Sequence, residues 1–138
     1  MSKMVQIASK DDGTGGTSAS NNREYGAVIE NGVVKEGTPG KVSDPTKNTT
    51  ANFEPVKTNP NDPDMHTHPS GTKRGTMPDG SGATYRWGIG GRQAPSRTDI
   101  QGVKGNAPSY VYGMRDKTIY IYTNKGGVVA TLPLGTFK

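Results

Sequence analysis

The 138-residue chain contains no cysteine. That absence excludes disulfides, Cys-ligated zinc ribbons, Cys nucleophiles and the His/Cys/Cys zinc of nucleobase deaminases, while saying nothing about redox compartment. Long hydrophobic runs are missing too: no stretch approaches the roughly 20 apolar residues of a membrane span, and the opening MSKMVQIASK is too polar for a signal segment. The expectation is a soluble chain with no membrane partner. Only 29% of residues are apolar, whereas Gly and Pro number 20 and 10. Such a composition predicts a small core and long loops. The net charge of +5 is spread thinly, densest around Lys73, Arg74, Arg86, Arg92 and Arg97, with no run of four basic residues. No RNP-like or zinc-finger pattern accompanies it, so it reads as a solvated surface and nucleic acid is not an expected partner.

Along the chain, residues 1–22 read as a flexible leader, because SKDDGTGGTSASNN is almost wholly polar and small. Residues 23–138 form the single expected domain. In residues 24–37, YGAVI and VVKE flank an Asn-Gly turn signal, which predicts a hairpin. Residues 38–64 are broken by five prolines and hold at most one short strand, around NFEPV. Residues 72–94 read as glycine-punctuated loop with one possible strand, ATYRW. The best helix start is PSRTDIQGVKG over 95–105, where Ser96 can cap and Asp99 follows three residues on. SYVYGMRDKTIYIYTNKGGVVATLPLG then reads as a meander, with Ile119 and Ile121 on one face and Tyr120 and Tyr122 on the other. The order of elements predicts an α+β domain dominated by sheet.

Histidine is nearly absent as well. His66 and His68 are the only two, adjacent in MHTHPSG. In an extended segment, residues two apart share a face, so both imidazoles can aim at one ion while Pro69 and Gly71 bend the chain away. A catalytic zinc site has three protein ligands, and with no other His or Cys the third must be a carboxylate. Asp64 would share the strand face; Asp99 would sit in the first turn of the predicted helix. Either motif alone is explained without an ion, since Ser-x-x-Asp is also an ordinary capping box and surface histidines are common.

His-x-His-Pro, a downstream Ser-x-x-Asp and a preceding strand that opens on Glu24 together resemble the JAMM (JAB/MPN-type) zinc metallopeptidases. The residues concerned are Glu24 in REYGAVI, His66 and His68 in HTHPSG, and Ser96 and Asp99 in PSRTDI. The resemblance implies a small JAB/MPN-like, cytidine-deaminase-like α+β fold, mainly antiparallel sheet with one or two helices and long loops. It also implies Zn2+ on His66, His68 and Asp99, with Glu24 and Ser96 catalytic. One departure stands out: 27 residues separate His68 from Ser96, where the family has a short gap. Residues 72–94 are therefore read as an insertion on the rim of the site. With the basic charge and leader, this looks most like the JAB-like toxin branch of bacterial polymorphic toxins. That branch implies secretion or delivery into a target cell and a cognate immunity protein, whereas other JAB peptidases would be cytoplasmic.

The chemistry follows from the residue types. A zinc ion on two neutral imidazoles and one carboxylate keeps positive charge and makes a water in its open position acidic near neutral pH. Glu24 would take that proton and pass it to the leaving amine. Ser96, at a helix start, would donate to the oxygen that gains charge. The expected reaction is hydrolysis of a peptide or isopeptide bond in a protein or peptide substrate. Competing readings are a non-catalytic Gly/Pro-rich binding module, a phage or housekeeping JAB peptidase, and an HNH-like nuclease, which lacks its second His-bearing helix. Trp87, Tyr110, Tyr112, Tyr120 and Tyr122 read as half-buried sheet faces, with a substrate groove as the alternative.

Overall fold

The Asn-Gly signal folds as expected. β1 (Gly26–Glu30) and β2 (Val33–Glu36) pair antiparallel with Glu30 opposite Val33. Asn31 and Gly32 complete the turn with φ of 49° and 78°. Two left-handed residues match the twist of a two-residue hairpin, and Asn and Gly adopt them at least cost. The computed structural model describes residues 2–43, 52–71, 73–76, 79–87 and 93–137. The Ser2–Ala8 helix, α1, opens the described chain.

β3 (Asp64–His68) pairs antiparallel with β1, Gly26 lying opposite His66. The chain then makes a separate two-stranded hairpin, β4 (Lys73–Thr76) with β5 (Thr84–Trp87), and a short helix, α2 (Arg97–Gln101). It returns as β6 (Ser109–Gly113), which runs parallel to β3, and continues as β7 (Thr118–Thr123) and β8 (Gly127–Pro133). The result is a six-stranded sheet in the order β2-β1-β3-β6-β7-β8, antiparallel except at β3–β6. The α+β architecture and its mainly antiparallel sheet are as expected. Among the described residues no helix is long and apolar enough to cross a membrane.

Side-chain alternation divides the sheet between two clusters. Ala27, Met65, Tyr112 and Ile119 are buried with Met4, Val5, Ile7 and Ala8 of α1 and with Leu134. Val111 and Tyr122 are buried with Val103, beside Ile100 and Tyr120, on the face that carries α2. His66 lies opposite Val111 and Met65 opposite Tyr110, so the histidines face the α2 side.

Residues 2–22, read above as part of a flexible leader, pack against the sheet through α1 and the turn after it. A seven-residue helix is too short to persist alone, but burying a Val, Ile or Met side chain contributes about 1.5–3 kcal/mol, and α1 buries one of each beside Ala8. The polar stretch after it is tied down as well. Asp11 is buried and its carboxylate accepts from the Ser70 N–H (2.8 Å), the Ser70 hydroxyl and the Gly13 N–H (2.9 Å). The Gly71 N–H donates to the Asn21 carbonyl at 2.6 Å, an approach so close that a Cβ at Gly71 would collide with that oxygen. NFEPV, allowed at most one short strand, forms none, and Phe53 is buried against Gly26 and Gly37. One smaller expectation also changes. In 72–94, part of which (72, 77–78, 88–92) lies outside the described residues, β4 joins the expected ATYRW strand as a hairpin.

Candidate metal centre

Three elements bring the candidate residues together. β3 is central and extended, so His66 and His68 project from one face with Nε2 atoms 3.2 Å apart and rings tilted at 58°. Thr67, on the opposite face, locks the neighbouring chain in place. Its hydroxyl accepts from the Tyr25 N–H at 2.9 Å and its own N–H donates to the Tyr25 carbonyl at 2.8 Å. That pair fixes Glu24 just before β1. α2 delivers Asp99 through its capping box: the Ser96 N–H donates to Asp99 Oδ2 (2.8 Å) and the Asp99 N–H donates to Ser96 Oγ (3.0 Å). Held this way, Asp99 places Oδ1 3.4 Å from His66 Nε2 and Oδ2 3.3 Å from His68 Nε2.

These separations suit a cation. Ligands about 2.0–2.1 Å from a tetrahedral ion lie about 3.3–3.4 Å from one another; the two Nε2 atoms are 3.2 Å apart, and the Asp99 carboxylate spans them, Oδ1 3.4 Å from His66 and Oδ2 3.3 Å from His68. Glu24, His66 and His68 also form a group able to hold a metal ion, each offering a ligand atom within 4.8 Å of the others. Asp64, the alternative third ligand, lies on the other side of the ring. Its Oδ1 is 3.9 Å from His66 Nδ1, and its Oδ2 pairs with the Lys57 ammonium at 2.7 Å. It is placed to orient His66 from behind. His68 has its own support, since Nδ1 lies 3.1 Å from the Gln93 carbonyl oxygen. An Nδ1–H donated there leaves the Nε2 lone pair facing the shared point, a common way of fixing a ligand imidazole. Gln93 is itself anchored: its side-chain amide donates to the Pro69 carbonyl (3.1 Å) and its oxygen accepts from the Arg115 N–H (2.7 Å).

The electrostatics favour positive charge at this point. Burial disfavours an imidazolium at His66, but Asp64, Asp99 and Glu24 outweigh it and push its pKa up to about 10. For Asp99 burial acts upward, yet the contacts with His66 and His68 hold its carboxyl well below the usual range. Glu24 goes the other way. Burial raises its carboxyl above the ordinary value, against the opposing pull of His66 and of the Phe53 N–H, which donates to Glu24 Oε1 at 2.8 Å. One carboxylate is thus kept ionised against the imidazoles while its neighbour is poised to carry a proton.

The group lies in a cleft of about 870 Å³ walled on one side by residues 52–60 and on the other by α2 and the segment after it. Glu24, His66, His68, Ser96 and Asp99 all line it, so all five residues singled out in the sequence meet there. Ser96 acts as the helix cap, and because its oxygen accepts from Asp99 its O–H proton is free to point elsewhere. Sequence reading did not find Phe53 or Lys57, whose roles depend on tertiary approach, nor Gln93, which acts through a backbone carbonyl and left no signal. Compared with protein-family models, with curated proteins and with solved structures, the chain gives no significant match to any of the three.

Proposed function

We propose that this chain is a zinc-dependent hydrolase of amide bonds, peptide or isopeptide, of the JAMM type. What carries the reading is the convergence of His66, His68 and Asp99 at mutual separations of 3.2–3.4 Å with Glu24 beside them. Four residues spread over 75 positions have no structural need to meet, and two buried imidazoles facing two carboxylates are a donor set that suits a divalent cation. His66, His68 and Asp99 hold the ion, and Glu24, bonded through one oxygen to the Phe53 N–H, has its other oxygen available for proton transfer. Bound there, zinc supplies Lewis acidity and a water that ionises near neutral pH. Glu24 accepts the proton and returns it to the departing amine, a role its raised pKa suits. The Ser96 hydroxyl donates to the carbonyl oxygen as negative charge builds on it.

The same resemblance extends the proposal to a toxin or effector domain of a secreted bacterial toxin, acting on a protein or peptide in the target cell and restrained by a cognate immunity protein over the His66/His68 face. The decisive comparison is zinc content, hydrolysis of a fluorogenic peptide library and growth on expression, for wild type and two variants. Glu24→Gln should keep one zinc per chain and lose about 10²–10⁴-fold in hydrolysis, with growth restored. His68→Ala should lose both zinc and activity. A fully active Glu24→Gln protein sinks the assignment.

A further inference from the structure

The hydroxyl of Tyr122 has no place yet in this arrangement. Tyr122 is only 1% exposed, but it lines the cleft with Glu24, His66, His68 and Asp99. Among the described residues its hydroxyl has no hydrogen-bond partner. Other tyrosines of the chain are satisfied: Tyr25 donates to the Ser20 carbonyl at 3.0 Å and Tyr120 to the Asp116 carboxylate. The ring is buried, yet the hydroxyl is not one of the sealed-off side-chain atoms that lack a partner, so its tip opens to the cleft and can meet what enters there.

The ring is held where it lines the cleft, buried with Val103 and Val111 on the α2 face of the sheet. Burial, reinforced by Asp64, Asp99 and Glu24, keeps the phenol protonated. The nearby carboxylates already have partners: Asp64 is paired with Lys57, Asp99 with the Ser96 N–H and the imidazoles, and Glu24 with the Phe53 N–H. An amide entering the cleft brings a further acceptor, its carbonyl oxygen.

We propose that Tyr122 donates a hydrogen bond from its hydroxyl to the carbonyl oxygen of the amide being hydrolysed, alongside Ser96, and is a catalytic residue of the hydrolase. The inference rests on the hydrolase reading above. No proton changes owner: the O–H bond of Tyr122 persists, and its contact strengthens as the oxygen gains charge.

Tyr122→Phe keeps the ring and removes only the hydroxyl. Three quantities are compared with wild type: zinc affinity, Tm, and the affinity of the zinc-loaded protein for acetohydroxamic acid, which presents a carbonyl oxygen and needs no knowledge of the natural substrate. Zinc affinity and Tm should be unchanged, because the hydroxyl is neither a ligand nor bonded within the fold. Acetohydroxamate should bind about tenfold more weakly, and peptide hydrolysis should fall about 10²-fold. Unchanged acetohydroxamate affinity overturns the proposal. So does a lowered Tm with unchanged affinity, which would make the hydroxyl a structural bond. A wild type that takes up no zinc, or a fully active Glu24→Gln, overturns the hydrolase reading and this inference with it, and both are seen before Tyr122→Phe is compared.

Discussion

The two faces of the six-stranded sheet obey opposite rules, although the same strands build both. Toward α1 the strands present Ala27, Met65, Tyr112 and Ile119, closed over by a helix that buries four of its seven residues. Toward α2 they present His66, His68 and Tyr122 beneath a five-residue helix that buries none of its own. Neighbours in one strand therefore do unlike work, Met65 in the core and His66 in the cleft. A slip of one residue in β3 would exchange them, so the apolar face sets the register that aims the imidazoles. Core and cleft are separated by the thickness of a backbone.

That separation can be broken from either side. The largest stability effect should come from Met65→Ala, which opens a cavity in the α1 face and should cost about 2–5 kcal/mol in denaturant unfolding. Its folded fraction should bind zinc as wild type does; a parallel loss of zinc affinity would show that the faces are not independent. Next, Asp64→Asn removes the carboxylate behind His66. Zinc affinity in calorimetry should fall about 10–100-fold with little change in unfolding midpoint. Complete loss of zinc, with binding retained in Asp99→Asn, would instead make Asp64 the ligand. Smallest in its effect on the site is Ser96→Ala, which removes the cap of α2 and should cost about 1 kcal/mol of stability. Zinc affinity should fall with it, because the capping box is what turns Asp99 toward the imidazoles; unaltered zinc binding would separate cap from ligand.

How much of this was legible depends on how local each cause is. The Asn31-Gly32 turn, the Ser96/Asp99 box and the shared face of His66 and His68 each follow from a few adjacent residues, and each stands where the sequence indicates. The α1 helix did not show, because SKMVQIA is short and becomes stable only against Ala27 and Met65. The polar run after it reads as flexible until Asp11 meets Ser70, 59 residues away. Asp64 and Asp99 were equal candidates by spacing. Only the ring orientation, with Asp64 at Nδ1 and Asp99 at Nε2, separates them. Tyr122 was visible as an inward-facing aromatic, but the missing partner of its hydroxyl is a property of everything around it.

The parallel pairing of β3 with β6 has a consequence for how the protein is made. Parallel neighbours need a crossover, and here residues 69–108 supply it, carrying Asp99 on the way. While a ribosome is still short of residue 109, β3 has β1 on one side and nothing on the other, and its histidines lie along an open edge. The crossover that brings Asp99 to the histidines also brings the strand that closes that edge. A nascent chain can therefore display the histidine pair well before Asp99 joins it, and the whole group is closed in only once β6 has emerged.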